Sequence, residues 1–115
     1  MMYKEGEIYF INLESSKGNE ERKTRPCIIV SNNQFNRVFN TVIVVPISSA
    51  KKYQTEEKFR KSPLFVFLNK DKVYGTALLQ HIRTIDPNKR ISGSLKGKLT
   101  DDEMQNIKSV LQQFF

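Results

Sequence analysis

The chain has 115 residues, a length that suits one domain with a modest hydrophobic core. Hydrophobic residues make up 38% of it and charged residues 27%, which is typical of a globular rather than a disordered protein, and no apolar run is long enough to span a bilayer. Nineteen Lys and Arg against twelve Asp and Glu give a net charge of +7, which is compatible with a polyanionic partner.

The first part of the chain predicts three strands separated by polar segments. Residues 6–13 contain Ile, Tyr and Phe and form the first strand, and residues 27–31 form the second. Residues 14–23 between them are almost wholly polar, and this connection is too long for a tight hairpin. Residues 32–39 predict a turn or a single helical turn, and the β-branched residues 41–45 predict a central third strand.

The second part of the chain predicts further short strands. Residues 50–62 are rich in Lys and Arg and predict a basic loop, which a fourth strand follows at residues 64–68. Residues 74–85 predict one long strand or two short ones. Residues 91–99 are punctuated by glycine, and their pattern leaves strand and loop both open.

The C-terminal segment predicts a helix that begins after Thr100. Thr100 and Glu103 have the spacing of a capping box, and acidic residues occupy the first turn. One face carries apolar residues at helical spacing, and these are Met104, Ile107, Val110, Leu111 and Phe114. The chain is therefore predicted to be mainly β, with α+β character: a small, strongly bent β-barrel or sheet with the terminal helix packed against it.

An arginine stands at the mouth of the second predicted strand, in the sequence Thr24-Arg25-Pro26. Pro26 cannot donate to a strand ladder, so we expect it at the first position of the strand or on an edge, where it keeps Arg25 extended. A fixed guanidinium suits an anion with two oxygens, such as phosphate. The local pattern by itself favours an ion pair between Arg25 and a nearby carboxylate.

Two serines, Ser48 and Ser49, follow Pro46 at the end of the third predicted strand. If the second and third strands pair antiparallel, the start of one lies near the end of the other, and Arg25 and Ser48 share one rim. An arginine, a hydroxyl and the lysines of residues 50–62 fit a phosphodiester site better than a protease or a metal site. Taken alone, Ser48 is typical of a residue that ends a strand.

Other catalytic groups are few. Cys27 is the only cysteine, so an internal disulfide is excluded, and its apolar surroundings predict a buried structural thiol. His81 is the only histidine, which excludes a mechanism with two histidines; it is a candidate base, although a lone histidine in a strand is more often structural. No phosphate-binding loop or Cys/His cluster indicates a cofactor or a metal. The N-terminus has no apolar signal segment, and the cytoplasm is the predicted location.

The order and spacing of several segments resemble the MazF/PemK-type toxins of bacterial type II toxin–antitoxin systems. The resemblance runs through most of the chain, which is predicted to be one toxin domain over residues 1–115. The segments that carry it are Gly6-Glu7-Ile8-Tyr9-Phe10, Lys17-Gly18-Asn19-Glu20, Arg25-Pro26, Val30-Ser31-Asn32, Pro46-Ile47-Ser48 and residues 77–86.

The resemblance implies an SH3-like β-barrel of the CcdB/PemK type with a C-terminal helix, usually a homodimer. It implies a metal-independent endoribonuclease without a cofactor, which cuts single-stranded RNA, often mRNA, at short specific sequences. Attack by the RNA 2′-hydroxyl would leave a 2′,3′-cyclic phosphate and a 5′-hydroxyl. The implied protein partner is a cognate antitoxin.

The resemblance also implies residue roles. The catalytic arginine of the family falls on Arg25, and its catalytic threonine falls on Ser48, which keeps the hydroxyl and loses a methyl group. Further candidates for catalysis or substrate positioning are His81, Gln80 and Ser49. The predicted RNA-binding residues are Lys17, Asn19, Glu20, Lys23, Lys51 and Lys52.

Two alternatives without catalysis stay open. One is a toxin of the same fold that binds DNA gyrase through the end of its C-terminal helix, but residues 112–115 contain no tryptophan of the kind expected for that role. The other is a silent barrel that binds RNA or an antitoxin.

Overall fold

The computed structural model describes residues 2–13, 24–70 and 72–115. These residues form a curled half-barrel sheet and a C-terminal helix, as the sequence predicts. The strands are β1 (Glu7–Asn12), β2 (Thr24–Ile29), β3 (Val42–Ser48), β4 (Phe65–Lys70), β5 (Val73–Leu78), β6 (Arg83–Ile85) and β7 (Ile91–Lys98). The helices are α1 (Asn33–Val38), α2 (Lys52–Thr55), α3 (Glu57–Arg60), α4 (Pro87–Arg90) and α5 (Asp101–Leu111).

Several predicted boundaries are wrong. The strand predicted at residues 27–31 begins at Thr24, and the third strand continues through Pro46 to Ser48. The segment predicted as a basic loop forms the short helices α2 and α3. The predicted alternative of two short strands over residues 74–85 is confirmed, with a 3₁₀ turn between them, and residues 91–98, where strand and loop were both open, form β7, which pairs with β1. The long polar connection of residues 14–23 lies outside the described residues.

Strand β3 is central to the sheet, as predicted. The strand order is β4-β5-β3-β2-β1-β7, with β6 also paired to β3. The first three residues of β3 pair with β6, residues 44–46 pair with β2, and the last two residues pair with β5. All of these pairings are antiparallel.

The alternation of side chains along the strands gives the sheet two buried faces. Ile28 lies on the face that packs against α5, whereas its neighbours Cys27 and Ile29 lie in a smaller apolar cluster on the other face. Four of the five predicted apolar residues of α5 and its end are buried, whereas Phe114 is 38% exposed. The predicted capping box of α5 is confirmed, because the Thr100 and Glu103 side chains each accept a hydrogen bond from the other residue's backbone N–H.

Two prolines mark the point where β2 and β3 separate. The last paired residues of this ladder are Cys27 and Pro46. Pro46 has no N–H, so this pair cannot exchange two hydrogen bonds. In an antiparallel ladder every second pair exchanges two hydrogen bonds, so the next pair that would do so is Pro26 and Ile47. Pro26 lacks the donor as well, and β2 pairs from there only with β1. Pro26 is thus the third residue of its strand rather than the first. The other predicted position, a strand edge without a ladder partner, is the one that it occupies on the side of β3.

No helix within the described residues is long and apolar enough to cross a membrane.

Gly75 allows β5 to lie close to the end of β3. A Cβ atom on Gly75 would lie 2.5 Å from the backbone oxygen of Ser48 and 3.0 Å from Cγ2 of Ile47. Because the nearest atom belongs to the backbone, we expect Gly75→Ala to lower the free energy of unfolding by about 1–3 kcal/mol. Chemical denaturation measures this change.

Gly97→Ala in β7 is the matched control. Its Cβ would lie 3.6 Å from Cδ1 of Ile8, an ordinary contact, so the free energy of unfolding should change by less than about 0.5 kcal/mol. Equal effects of the two substitutions would contradict the close approach at Gly75.

Candidate functional site

A cavity of about 390 Å³ opens where β2 and β3 separate. Both predicted catalytic residues line it, Arg25 from β2 and Ser48 from β3, so the predicted shared rim is present. The other lining residues are Thr24, Pro26, Ile47, Ser49, Ala50 and Tyr74. The site therefore lies at the rim of the sheet, where backbone pairing has stopped.

Arg25 is held by the strand on which it lies. It pairs with Ile11 of β1 and lies two residues from Cys27, on the sheet face that carries the smaller apolar cluster. The side chain is half-buried, and no described carboxylate forms an ion pair with it. Within the described part of the chain, the structure thus gives no support to the salt-bridge interpretation that the local sequence favours.

Ser48 is buried at the other side of the cavity, with 6% of its surface exposed. Its Oγ accepts a hydrogen bond from the backbone N–H of Ala50 at 3.2 Å, which leaves the hydroxyl hydrogen able to donate to a ligand. Thr76 is its partner on β5, and the buried Oγ1 of Thr76 has no hydrogen-bond partner among the described residues. The end of β3 therefore brings two hydroxyl groups together.

A second guanidinium lies near the same sheet face. Burial raises the pKa of the Cys27 thiol to about 12, while the positive charges of Arg83 and Arg25 act to lower it. Both arginines are therefore close to this thiol. Nη1 of Arg83 donates to the carbonyl oxygen of Leu13 at 3.2 Å, which fixes the end of β1. The prediction that Cys27 is a buried structural thiol is confirmed.

The remaining predicted site residues divide into three groups. Ser49 lines the cavity, and the exposed Lys51 and Lys52 follow directly after Ala50 at the start of α2. Gln80 and His81 are exposed in the 3₁₀ turn Leu79–His81 and do not line the cavity. The predicted RNA-binding residues Lys17, Asn19, Glu20 and Lys23 lie outside the described residues.

The sequence prediction missed Tyr74 and Thr76. Tyr74 lines the cavity and Thr76 pairs with Ser48 because β5 pairs with the end of β3, and no local pattern in the sequence specifies that pairing. The unusual exposure of the Tyr74 ring, 56%, is a structural signal that a sequence does not show. In the part of the chain that the structure describes, no group of three or more His, Cys, Asp or Glu side chains could hold a metal ion.

A family model described as PemK-like, MazF-like toxin of type II toxin–antitoxin system matches residues 4–115. The chain belongs to this family. A relative named Endoribonuclease MazF, from Staphylococcus saprophyticus, is 33% identical over 116 residues, which cover 96% of this chain and 88% of the relative. The predicted membership of the MazF/PemK family is confirmed.

Solved structures confirm the predicted fold of this PemK-like chain. A crystal structure of MazF from Deinococcus radiodurans has a TM-score of 0.76 at 21% identity, covering 99% of this chain and 96% of that chain. An endoribonuclease in complex with its cognate antitoxin, from Mycobacterial species, has a TM-score of 0.71 at 24% identity, covering 96% of this chain and 92% of that chain.

The buried thiol of Cys27 should stay protonated in the folded protein. An unfolded chain releases this proton near pH 8.5, whereas the folded pKa is about 12, so the free energy of unfolding should fall as the pH rises above about 8.5. The expected slope is up to about 1.4 kcal/mol per pH unit. Denaturation between pH 8 and 10 measures it, and Cys27→Ala should flatten this part of the profile. A thiol that reacts with iodoacetamide as fast in the native as in the unfolded protein would contradict the burial.

Proposed function

We propose that this chain is the toxin of a type II toxin–antitoxin system and an endoribonuclease that cuts single-stranded RNA. The observation that carries the proposal is the cavity that holds Arg25 and Ser48 together. Family membership and the relative named an endoribonuclease support it. A net charge of +7 is in keeping with a polyanionic substrate.

The proposed reaction uses the RNA 2′-hydroxyl as its nucleophile. The 2′-hydroxyl loses its proton to a base as its oxygen forms a bond to the adjacent phosphorus. The bond from phosphorus to the 5′-oxygen breaks, and that oxygen takes up a proton, so that one proton is lost and one is gained. The products are a 2′,3′-cyclic phosphate and a 5′-hydroxyl. Arg25 stabilises the negative charge that develops on the phosphoryl oxygens, and Ser48 donates a hydrogen bond that fixes the phosphate.

The proton acceptor for this reaction is not among the described side chains that line the cavity. Those side chains offer hydroxyls, a phenol and a guanidinium, and none of them is a carboxylate or an imidazole. His81, the candidate base, lies in the exposed turn after β5. The pH–rate profiles of the wild-type protein and His81→Gln decide its role, because a histidine base gives the profile an acidic limb that glutamine removes.

The proposed partners follow from the solved relatives. An endoribonuclease of Mycobacterial species and the MazF of Deinococcus radiodurans are each described in complex with an antitoxin, MazE in the second case. We propose that this chain also binds a cognate antitoxin. From the family resemblance we propose in addition that it forms a homodimer. The gyrase-binding alternative is less well supported, because the relative at 33% identity is named an endoribonuclease.

Arg25→Ala and Ser48→Ala should each reduce RNA cleavage while the protein stays folded. Loss of one donor to a developing oxyanion costs about 10²–10³ in rate, and we expect each substitution to fall in that range. Initial rates on a single-stranded RNA measure the loss, with circular dichroism as the check on folding. Arg37→Ala, an exposed arginine of α1, is the matched control and should retain the wild-type rate.

Product analysis under EDTA tests the chemistry in the same assay. The proposal requires cleavage to persist in EDTA and the products to carry 2′,3′-cyclic phosphate and 5′-hydroxyl ends. Loss of cleavage that a divalent ion restores would replace the proposed reaction with a metal-dependent one. Full activity in a folded Arg25→Ala protein would remove Arg25 from the mechanism.

A further inference from the structure

A second cavity, of about 420 Å³, adjoins the one that holds Arg25 and Ser48. Tyr74 lines both cavities, so a chain bound in the first can continue into the second. The volume falls within the usual range for a ligand pocket. The residues that line the second cavity are Tyr53, Gln54, Arg60, Phe65, Phe67 and Tyr74.

Aromatic rings form the walls of this second cavity. Phe67 and Tyr74 meet edge to face with their ring centroids 5.2 Å apart, and they are 47% and 56% exposed. Tyr53 and Phe65 are stacked with centroids 5.4 Å apart. Exposed rings at the end of a cationic cleft suit the flat face of an unstacked nucleobase, because aromatic side chains bind single-stranded nucleic acid by stacking.

Two side chains of the second cavity, Gln54 and Arg60, have hydrogen-bond donors available to a ligand. Oε1 of Gln54 accepts a hydrogen bond from the hydroxyl of Tyr74 at 3.4 Å, which orients the amide. The buried Nε2 of Gln54 has no hydrogen-bond partner among the described residues. The guanidinium of Arg60 can also only donate. A buried donor without a partner is costly, so the cavity is prepared for a ligand that brings an acceptor.

We propose that this second cavity is a nucleobase subsite beside the cleaved phosphodiester that selects a keto base, uracil or guanine, over cytosine. Uracil presents O4 and guanine presents O6 and N7, all of which accept hydrogen bonds from Gln54 and Arg60. Cytosine presents an amino group in place of this oxygen, and that donor would meet the donor of Gln54. This inference rests on the proposed function, because it assigns the cavity to the same RNA.

Binding of uncleavable oligonucleotides tests the subsite without relying on catalysis. The probes are oligo(U) and oligo(C) of equal length with 2′-fluoro in place of the 2′-hydroxyl, so that no nucleophile is present. The two bases are similar in size and differ at the group that faces Gln54. We expect the wild-type protein to bind oligo(U) about tenfold more tightly than oligo(C).

Two substitutions, Gln54→Glu and Gln54→Leu, should each abolish this preference. The first puts an acceptor where the amide donor was, and the second removes the donor without adding charge. Gln105→Glu is the matched control, since Gln105 is exposed on α5 and the change in charge is the same. It should keep the tenfold preference.

Equal affinity of the wild-type protein for the two probes, or an unchanged preference in folded Gln54→Leu, would overturn the subsite. The outcome is separable from the test of cleavage. A protein that prefers oligo(U) but cuts no RNA would contradict the proposed function and leave the subsite in place. A protein that cuts RNA but binds oligo(U) and oligo(C) equally well would support the proposed function and contradict the subsite.

Discussion

The end of the hydrogen-bonded ladder between β2 and β3 is the constraint on which the site depends. Pro46 faces Cys27 in the last pair of this ladder, which exchanges no hydrogen bonds, and the next exchange would need a backbone N–H from Pro26, which has none. β3 therefore leaves β2 and continues along β5, while the first residues of β2 stay paired with β1. The gap that results places a guanidinium on one side and a hydroxyl on the other, each on a strand that the rest of the sheet holds.

This arrangement explains how a small domain can hold a charged side chain and a hydroxyl in fixed positions. The Arg25 side chain emerges from a six-residue strand whose last three residues are buried in the core, and its backbone is held by β1. Ser48 is held by β5, which the absence of a side chain at Gly75 allows to come close. Groups fixed in this way need little reorganisation when charge develops on a bound phosphate, which is the condition for electrostatic catalysis.

Sequence patterns predicted the parts of this structure that local rules decide. Helix α5 follows from its capping box and apolar spacing, and the shared rim of Arg25 and Ser48 follows from antiparallel pairing of consecutive strands. The patterns failed where the local structure depends on pairing between strands that are distant in the sequence or on tertiary packing. A proline is normally excluded from a strand interior, so the prediction ended the third strand before Pro46. Its continuation to Ser48 was missed, because that part of the strand depends on pairing with β5. The aromatic cavity with Gln54 depends on helices α2 and α3 folding where charge alone indicated a loop.

The most direct measurement of the central claim is a crystal structure of the protein with a single-stranded RNA carrying 2′-fluoro groups, which cannot be cleaved. The account predicts a phosphate in the gap between β2 and β3, with its oxygens within hydrogen-bond distance of the Arg25 guanidinium and the Ser48 hydroxyl. An RNA backbone bound elsewhere, for example along the lysine-lined groove of Lys70, Lys72, Lys96 and Lys98, with the gap left empty, would contradict it.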